Sequence, residues 1–536
     1  MSSLLLSLAL LVAAPLIIFR RIGARDKDLP PGPPTLPIIG NLHIFPKEST
    51  HLRFTEWARK YGGIFSLKLG AGTVIVITCP EIAHQLLEKR SATTADRPSL
   101  YVADLVTGGL NMGLIRYGDT WRAMRRAAHS ILTPKATARH FPIQIAEATQ
   151  LLYDMLCTAE SFNTHIKRYS SSVIMSVLHG KRSPRYETPD TADFFRVEHE
   201  WSTFVEPGAT PPVDLIPILK YVPAPLAKWK RTAARIREMQ RGLYLRLLAG
   251  TEERVQRGEH NGSYMEVVLE RRQELGLDRH TAAYLGGSLV EAGSETTSSF
   301  LNSLILCLVA YPQAQKHAQE EIDGVVGQDR LPTLEDLQNL PYIRAIILET
   351  HRFRPVTPLL LPHATTAPET YKNYSIPAGS TIFVNYCGIS HDPMLYDGPE
   401  VFCPNRYLLA DNGTKPGLDK SSMGPTLAFG FGRRSCPGIH LAENSININA
   451  MNLIWAFKFE PALDKDGNVI EPDTFAYSKG ITCEPLPFKC RITPRTAEKA
   501  EIIRREFWGA ADTFKKFEFG LSEEDKEFVL SSRDRF

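Results

Sequence analysis

One segment of the chain concentrates residues able to hold or attack something. Phe429-Gly-Phe-Gly-Arg-Arg-Ser-Cys-Pro-Gly438 packs glycines and a proline around Cys436, a composition that permits a tight bend and brings a sulfur against something flat and close. The apolar-periodic stretch Gly438–Phe457 predicts a helix opened by Pro437, whose positive dipole end beside the sulfur favours thiolate over thiol. Backbone donors of the bent loop can hydrogen-bond the same sulfur, as in tuned metal thiolates. These residues alone leave a metal ligand, a nucleophile and an inert buried cysteine all open. His440 follows closely, but on the proposed helix, where it reads as a packing residue. A second group, Ala292-Gly-Ser-Glu-Thr-Thr297, interrupts the apolar helix pattern of Leu285–Ala310. Helix interiors disfavour Gly and Thr, so burial of Glu295 and Thr296 needs a reason. Glu349 and Arg352, three apart, share a helix face and can pair.

The elements that must position these residues read as mainly α with small β-sheets. Helical spacing runs through Ile143–Cys157, Trp229–Gln256, Leu285–Ala310 and Tyr342–Phe353. Alternation in Phe65–Leu69 and Val74–Thr78 around Gly70-Ala-Gly72 predicts a hairpin, and Tyr374–Val384 predicts strand, turn and strand. With 536 residues, 43% hydrophobic and 23% charged, the composition is globular with a large core. Lys+Arg 62 against Asp+Glu 59 leaves +3, which argues against a nucleic-acid binder. The cysteines contain no C-x-x-C, so neither a disulfide scaffold nor a structural zinc site is indicated, and a reducing compartment is. Leu4–Phe19 is an apolar run near the lower limit for spanning a bilayer, and Arg20, Arg21, Arg25 and Lys27 follow it. That asymmetry predicts an uncleaved anchor with the body cytosolic, leaving the sequons at Asn261, Asn373 and Asn412 unmodified. Leu29–Gly40 is a stiff Pro-rich strap. The loop Glu206–Pro225, with Leu215, Ile216, Ile218, Leu219 and Tyr221, suits a surface position or shallow contact with a bilayer; Asp411–Thr426 is a polar, Gly-rich loop.

The cysteine segment matches the haem-binding signature of the cytochrome P-450 family, F-x-x-G-x-R-x-C-x-G, at Phe429, Gly432, Arg434, Cys436 and Gly438. Other landmarks of the family follow: W-x-x-x-R at Trp121 and Arg125, [AG]-G-x-[DE]-T-[TS] at Ala292–Thr297, E-x-x-R at Glu349 and Arg352, and F-x-P-x-R ending at Arg406. The chain resembles microsomal fungal members from its N-terminus to about Arg495. The resemblance implies a cytochrome P-450 fold: residues 1–22 an anchor, 23–40 a basic, Pro-rich strap, 41–495 a single large haem-binding catalytic domain, and 496–536 an extension without a functional reading. It implies haem b with Cys436 as axial iron ligand, a thiolate that favours O–O cleavage. Trp121, Arg125, His363 and Arg434 would meet the propionates, with Phe429 and Gly438 completing the cofactor site. Glu349, Arg352 and Arg406 would form a structural lock. Thr296 would serve oxygen and proton delivery, with Glu295 as its relay. The implied reaction is monooxygenation of a lipophilic small molecule by O2, in secondary metabolism by analogy. No dinucleotide fingerprint or flavin domain is present, so NADPH acts only through a separate NADPH–cytochrome P-450 reductase, with cytochrome b5 a further partner. Arg122, Arg126 and Arg433 are a candidate docking patch. The resemblance also implies an endoplasmic reticulum membrane location, and places Leu105–Leu110, Thr357–Leu361 and Lys479–Ile481 around the substrate.

Overall fold

The computed structural model describes residues 22–206, 208–418 and 423–533. The anchor expected over Leu4–Phe19 therefore lies outside the described residues. Among the described residues no helix is long and apolar enough to cross a membrane. After the strap come helix α1 (Thr50–Tyr61) and the antiparallel strands β1 (Ile64–Leu69) and β2 (Gly72–Ile77), the expected hairpin. Helices α2 (Asp119–Ile131), α3 (Phe141–Cys157), α4 (Phe162–His179), α5 (Pro189–Val205), α6 (Lys228–Gln256), α7 (Arg279–Ala310) and α8 (Pro341–Phe353) follow, with a further helix, Pro312–Val326, between the last two. Short helical turns between them are left unlabelled.

Four short strands come next: β3 (His363–Ala364), β4 (Glu369–Tyr371), β5 (Tyr374–Ile376) and β6 (Thr381–Val384). The strands on either side of Pro377-Ala-Gly379 belong to different sheets. β5 pairs with β4, whereas β6 enters a four-stranded sheet of order β1-β2-β6-β3. Helix α9 (Ile439–Ala456) leads into a third sheet, in which β7 (Phe457–Leu463) lies between β8 (Val469–Ile470) and β9 (Cys490–Pro494). Two further helices, α10 (Ala497–Gly509) and α11 (Glu523–Arg533), close the chain.

Helix α7 is the axis of the helical part. It starts six residues before its apolar pattern does, because the Asp278 side chain accepts a hydrogen bond from the Thr281 N–H at 2.6 Å and caps the first turn. Its glycines let neighbours approach. A Cβ at Gly287 would lie 2.3 Å from the Tyr244 ring on α6, and one at Gly293 would lie 2.7 Å from Ile174 on α4. The main core gathers around α3, α4, α7 and α9, with Leu301, Leu304, Ile305 and Trp455 withdrawn from solvent. A smaller cluster under the hairpin holds Phe54, Phe65 and Val76.

The charged extension is folded onto this body. Phe507 on α10 stacks on Tyr153 of α3 with ring centroids 4.2 Å apart. Arg182 spans Glu147 and Glu518, and its guanidinium lies 3.7 Å from the Phe514 ring centroid. The sequon residue Asn261 donates its Nδ2 hydrogens to the carbonyls of Gly180 and Lys516, so that amide is committed to holding the extension.

Candidate functional site

One cavity of about 400 Å³ collects most of the residues singled out from the sequence: Trp121 and Arg125 of α2, Glu295 and Thr296 of α7, His363 of β3, and Phe429, Arg434, Cys436 and Gly438 of the cysteine loop. The loop is built from two single turns, Pro425–Phe429 and Gly432–Arg434, and the Cys436 N–H donates to the Phe429 carbonyl at 2.8 Å. Gly432 takes φ +53°, and a Cβ there would lie 2.4 Å from the Leu87 carbonyl oxygen, so no larger residue fits. The following helix begins at Ile439, which leaves Pro437 in the turn before it instead of in its first turn. The expected preference for thiolate is also reversed in the protein alone. Burial pushes the Cys436 thiol up, outweighing the Gly438 N–H and Arg125, so the thiolate needs a cation bound to it.

One end of the cavity is cationic. Arg434 donates from Nε to the Ala95 carbonyl at 2.7 Å and from Nη2 to the Ile115 carbonyl at 2.8 Å, while its buried Nη1 has no partner among the described residues. Its guanidinium lies 4.2 Å from the Trp121 ring centroid. Arg125 makes no hydrogen bond or ion pair with any described residue, and burial lowers its pKa. His363 is turned by an Nδ1 contact with the Thr94 carbonyl at 2.9 Å, and burial lowers its pKa to about 3. Sequence reading missed Arg97, which is buried beside them and donates to the carbonyls of Gly113, Leu361 and Pro362. Burial and then Arg434 push its pKa well down. The nearby carboxylate, Asp96, is already bonded to Arg116 and the Tyr117 N–H. Guanidiniums crowded together out of water require anions, and a dianionic ligand with two carboxylates suits this end.

A different stretch of wall is acidic. Thr296 donates its hydroxyl to the Ala292 carbonyl at 2.6 Å. Glu295, its neighbour in sequence, turns away to accept the hydroxyl of Thr482, so the two reach one cavity without bonding to each other. Two more glutamates lie there that sequence reading did not single out. Glu291 receives Asn111 Nδ2 at 2.8 Å on one oxygen, and Gln240 Nε2 at 2.9 Å and the Tyr244 hydroxyl on the other. Burial still lifts its pKa to about 7. Glu198 comes from α5, and burial followed by the charges of Glu291 and Glu295 raises it well above the carboxylate range. Glu291 stands four residues before Glu295, a spacing that puts both on one helix face. Glu198 had no local signal.

Glu349, Arg352 and Arg406 lie outside the cavity wall and form one buried cluster. Arg352 bonds both Glu349 oxygens at 2.7 and 2.8 Å, and Arg406 Nε reaches Glu349 at 3.1 Å. The substrate-facing segments are partly corrected. Thr357, Leu360, Leu361 and Ile481 line the cavity, but Leu105–Leu110 does not. Tyr101–Thr107 forms a short helix whose Val106 packs with Trp201, Phe204 and Ile236, and the chain reaches the cavity only at Asn111–Leu114. On the surface, Arg122 and Arg433 flank the Tyr117 ring at 5.5 and 5.8 Å, with Arg126 exposed nearby on α2.

Comparison with known proteins agrees with this arrangement. Residues 30–491 match the family model described as Cytochrome P-450. A cytochrome P-450 monooxygenase of Armillaria gallica is 45% identical over 510 residues, covering 95% of this chain and 97% of that protein. One from Arthrobotrys oligospora is 41% identical, covering 92% and 94%, and one from Penicillium terrestre is 37% identical, covering 90% and 92%. Among solved structures, a zebrafish cytochrome P-450 with abiraterone superimposes with a TM-score of 0.66 at 24% identity, over 83% of this chain and all of that one.

Proposed function

The chain belongs to the cytochrome P-450 family, and from that premise we propose a membrane-bound enzyme that inserts one oxygen atom of O2 into a lipophilic intermediate of secondary metabolism. It is a monooxygenase, and its cofactor is haem b. The residues present fit that cofactor. Among the described residues Arg434 Nη1 is buried without a partner and Arg97 and Arg125 make no ion pair, and two propionates would supply the missing anions. A coordinated iron would likewise hold the Cys436 sulfur as thiolate against the burial that favours the thiol. Cys436 would hold the iron, with Trp121, Arg125, His363, Arg434 and also Arg97 around the propionates. Bound there, the haem supplies the redox chemistry in which O2 and two electrons yield a hydroxylated or epoxidised product and water.

The chain's own residues orient the reactants and manage protons. Thr296 faces the cavity with a hydroxyl that can turn from the Ala292 carbonyl, and Glu295 lies beside it as a proton source. Glu349, Arg352 and Arg406 hold the loops around residues 390–406 in place. Electrons come from NADPH through a separate reductase, with cytochrome b5 as an alternative donor, both docking near Arg122, Arg126 and Arg433. We assign the body, residues 41–495, to the cytosolic face of the endoplasmic reticulum, behind the anchor at 1–22 and the strap at 23–40. Exposed Leu36, Ile38 and Ile39 of the strap, and Ile218, Tyr221 and Leu226 of the loop before α6, support membrane contact. Leu42, Ile44 and Leu215 pack on one cluster, which makes the two patches neighbours.

The observation that carries the reading is the single cavity joining Cys436 to an unpaired cationic end and to Glu295 and Thr296. Its test is the reduced, CO-bound difference spectrum of the membrane fraction for wild type and Cys436→Ala. A strongly red-shifted Soret band in the wild type alone is the expected result. Folded, haem-supplied wild type without that band would overturn the assignment.

A further inference from the structure

The acid and alcohol on α7 leave Glu198 unexplained. It comes from a different helix, is nine-tenths buried, and lines the same cavity as Glu295 and Thr296. Among the described residues no arginine, lysine or backbone N–H is bonded to it, and the group within hydrogen-bonding reach is the Glu295 carboxyl. Two carboxyls that close cannot both ionise, so they hold a proton between them. Where it rests follows from the other partners. Glu295 has a second donor, the Thr482 hydroxyl, which steadies its charge, whereas Glu198 has none and so keeps the proton.

The remaining charged groups around the pair are fixed. Glu291, one turn earlier on α7, has both oxygens taken by Asn111, Gln240 and Tyr244. Glu484, just past Thr482, is held by Lys167 of α4 at 3.1 Å. Neither can swing to replace Glu198. From Glu198 the cavity wall continues along α5 to Ser202 and Glu206 at the helix's C-terminal end, a path for water to the carboxyl.

We propose that Glu198 is the proton donor that recharges Glu295 during turnover. The O–H bond of Glu198 breaks as an O–H bond forms on Glu295, and Glu295 then passes that proton toward Thr296 and the cavity. The negative charge moves to Glu198, which is reprotonated by a proton carried from bulk solvent by water along α5. This role rests on the monooxygenase reading above and adds a positioning residue to it. It also gives a use to an acid that stands on the acidic stretch of the cavity wall with no bonded cation among the described residues.

The test compares wild type, Glu198→Gln and Glu198→Asp as reductase-coupled holoenzymes on one substrate. Glutamine keeps the size and an N–H toward Glu295 but cannot pass a proton on. Product formed per NADPH should fall about tenfold in Glu198→Gln, less than the roughly hundredfold or more of a group that transfers the proton directly, because Glu198 acts through Glu295, with KM unchanged and the solvent isotope effect on turnover increased. Aspartate should restore most of the coupling. An independent readout is the infrared C=O stretch of the resting protein at pH 8, where the wild type should show a protonated carboxyl that Glu198→Gln lacks. Unchanged coupling in Glu198→Gln, or a raised KM with coupling intact, overturns the inference, the latter making Glu198 a substrate contact. If the wild type itself forms no product from O2 and NADPH, both the monooxygenase reading and this one fall; if only the variant result disappoints, the inference alone does.

Discussion

Glu349 and Glu198 are both glutamates withdrawn from water, and their surroundings are opposite. Glu349 accepts both prongs of Arg352, Nε of Arg406 and the Cys403 N–H at 2.7 Å. The two arginines are satisfied in turn by the carbonyls of Ser390, Pro399 and Asp397. Glu198 has no fixed donor among the described residues and shares its reach with another acid. A buried carboxylate surrounded by donors is a fixed charge that shapes the backbone. One that lacks them keeps its proton, and a proton held on a cavity wall can move. The residue type is the same and both are buried, so the partners set the role.

The comparison breaks most visibly at the saturated end. Glu349→Ala strands two guanidiniums in the interior, and on the order of 3–5 kcal/mol of stability should be lost. Denaturant midpoints or recovery of folded protein read this directly. A variant as stable as the wild type would mean that the lock is no tighter than the cavity acids. Glu291 lies between the extremes, with three donors but no cation. Its folded pKa is raised to about 7 from an ordinary 4.5. The unfolded chain therefore ionises there from about pH 4.5 while the folded protein does not until about 7, so wild-type stability falls as pH rises through that window. The size is on the order of 3 kcal/mol at about 1.4 per pH unit. Glu291→Gln does not titrate, and its stability relative to wild type should climb between pH 4.5 and 7. A constant offset across that range would show that the three donors already keep Glu291 ionised.

How far these sites were legible follows from where their partners sit in the chain. The cysteine loop is local, and its glycines and proline around Cys436 announce a bend that φ +53° at Gly432 bears out. Glu349 and Arg352 are three apart on one helix and could be paired on sight. Helix α7 showed its apolar body but not its first turn, because Arg279 and His280 are polar and the start is set by the Asp278 cap. Arg97 and Glu198 were invisible, since each reaches the cavity from an element far in sequence from Cys436 and α7. The extension after Arg495 looked merely charged. Ile503, Phe507 and Phe514 form its buried side, and Glu518 and Asp525 each form a salt bridge with a partner more than 300 residues away in sequence, Arg182 and Arg185.

The smallest predicted effect sharpens the comparison most, because it changes one donor and nothing in the shape. Thr482→Val removes the hydroxyl that Glu295 accepts and puts a methyl in its place. That hydroxyl lowers a Glu295 pKa that burial has raised, so the variant should carry Glu295 higher still. An acid whose folded pKa is raised costs nothing below its unfolded pKa, where both states are protonated, and costs progressively more as pH rises above it. The variant should match the wild type near pH 4 and fall behind it toward pH 8, by about 1 kcal/mol, the usual worth of one hydrogen bond. Paired thermal melts at the two pH values measure this. A deficit of equal size at both would assign the loss to packing and leave Glu295 as indifferent to its donor as a surface acid. A deficit present only at high pH would show that a single hydroxyl sets how firmly this carboxyl holds its proton, which is the property that separates the cavity wall from the Glu349 lock.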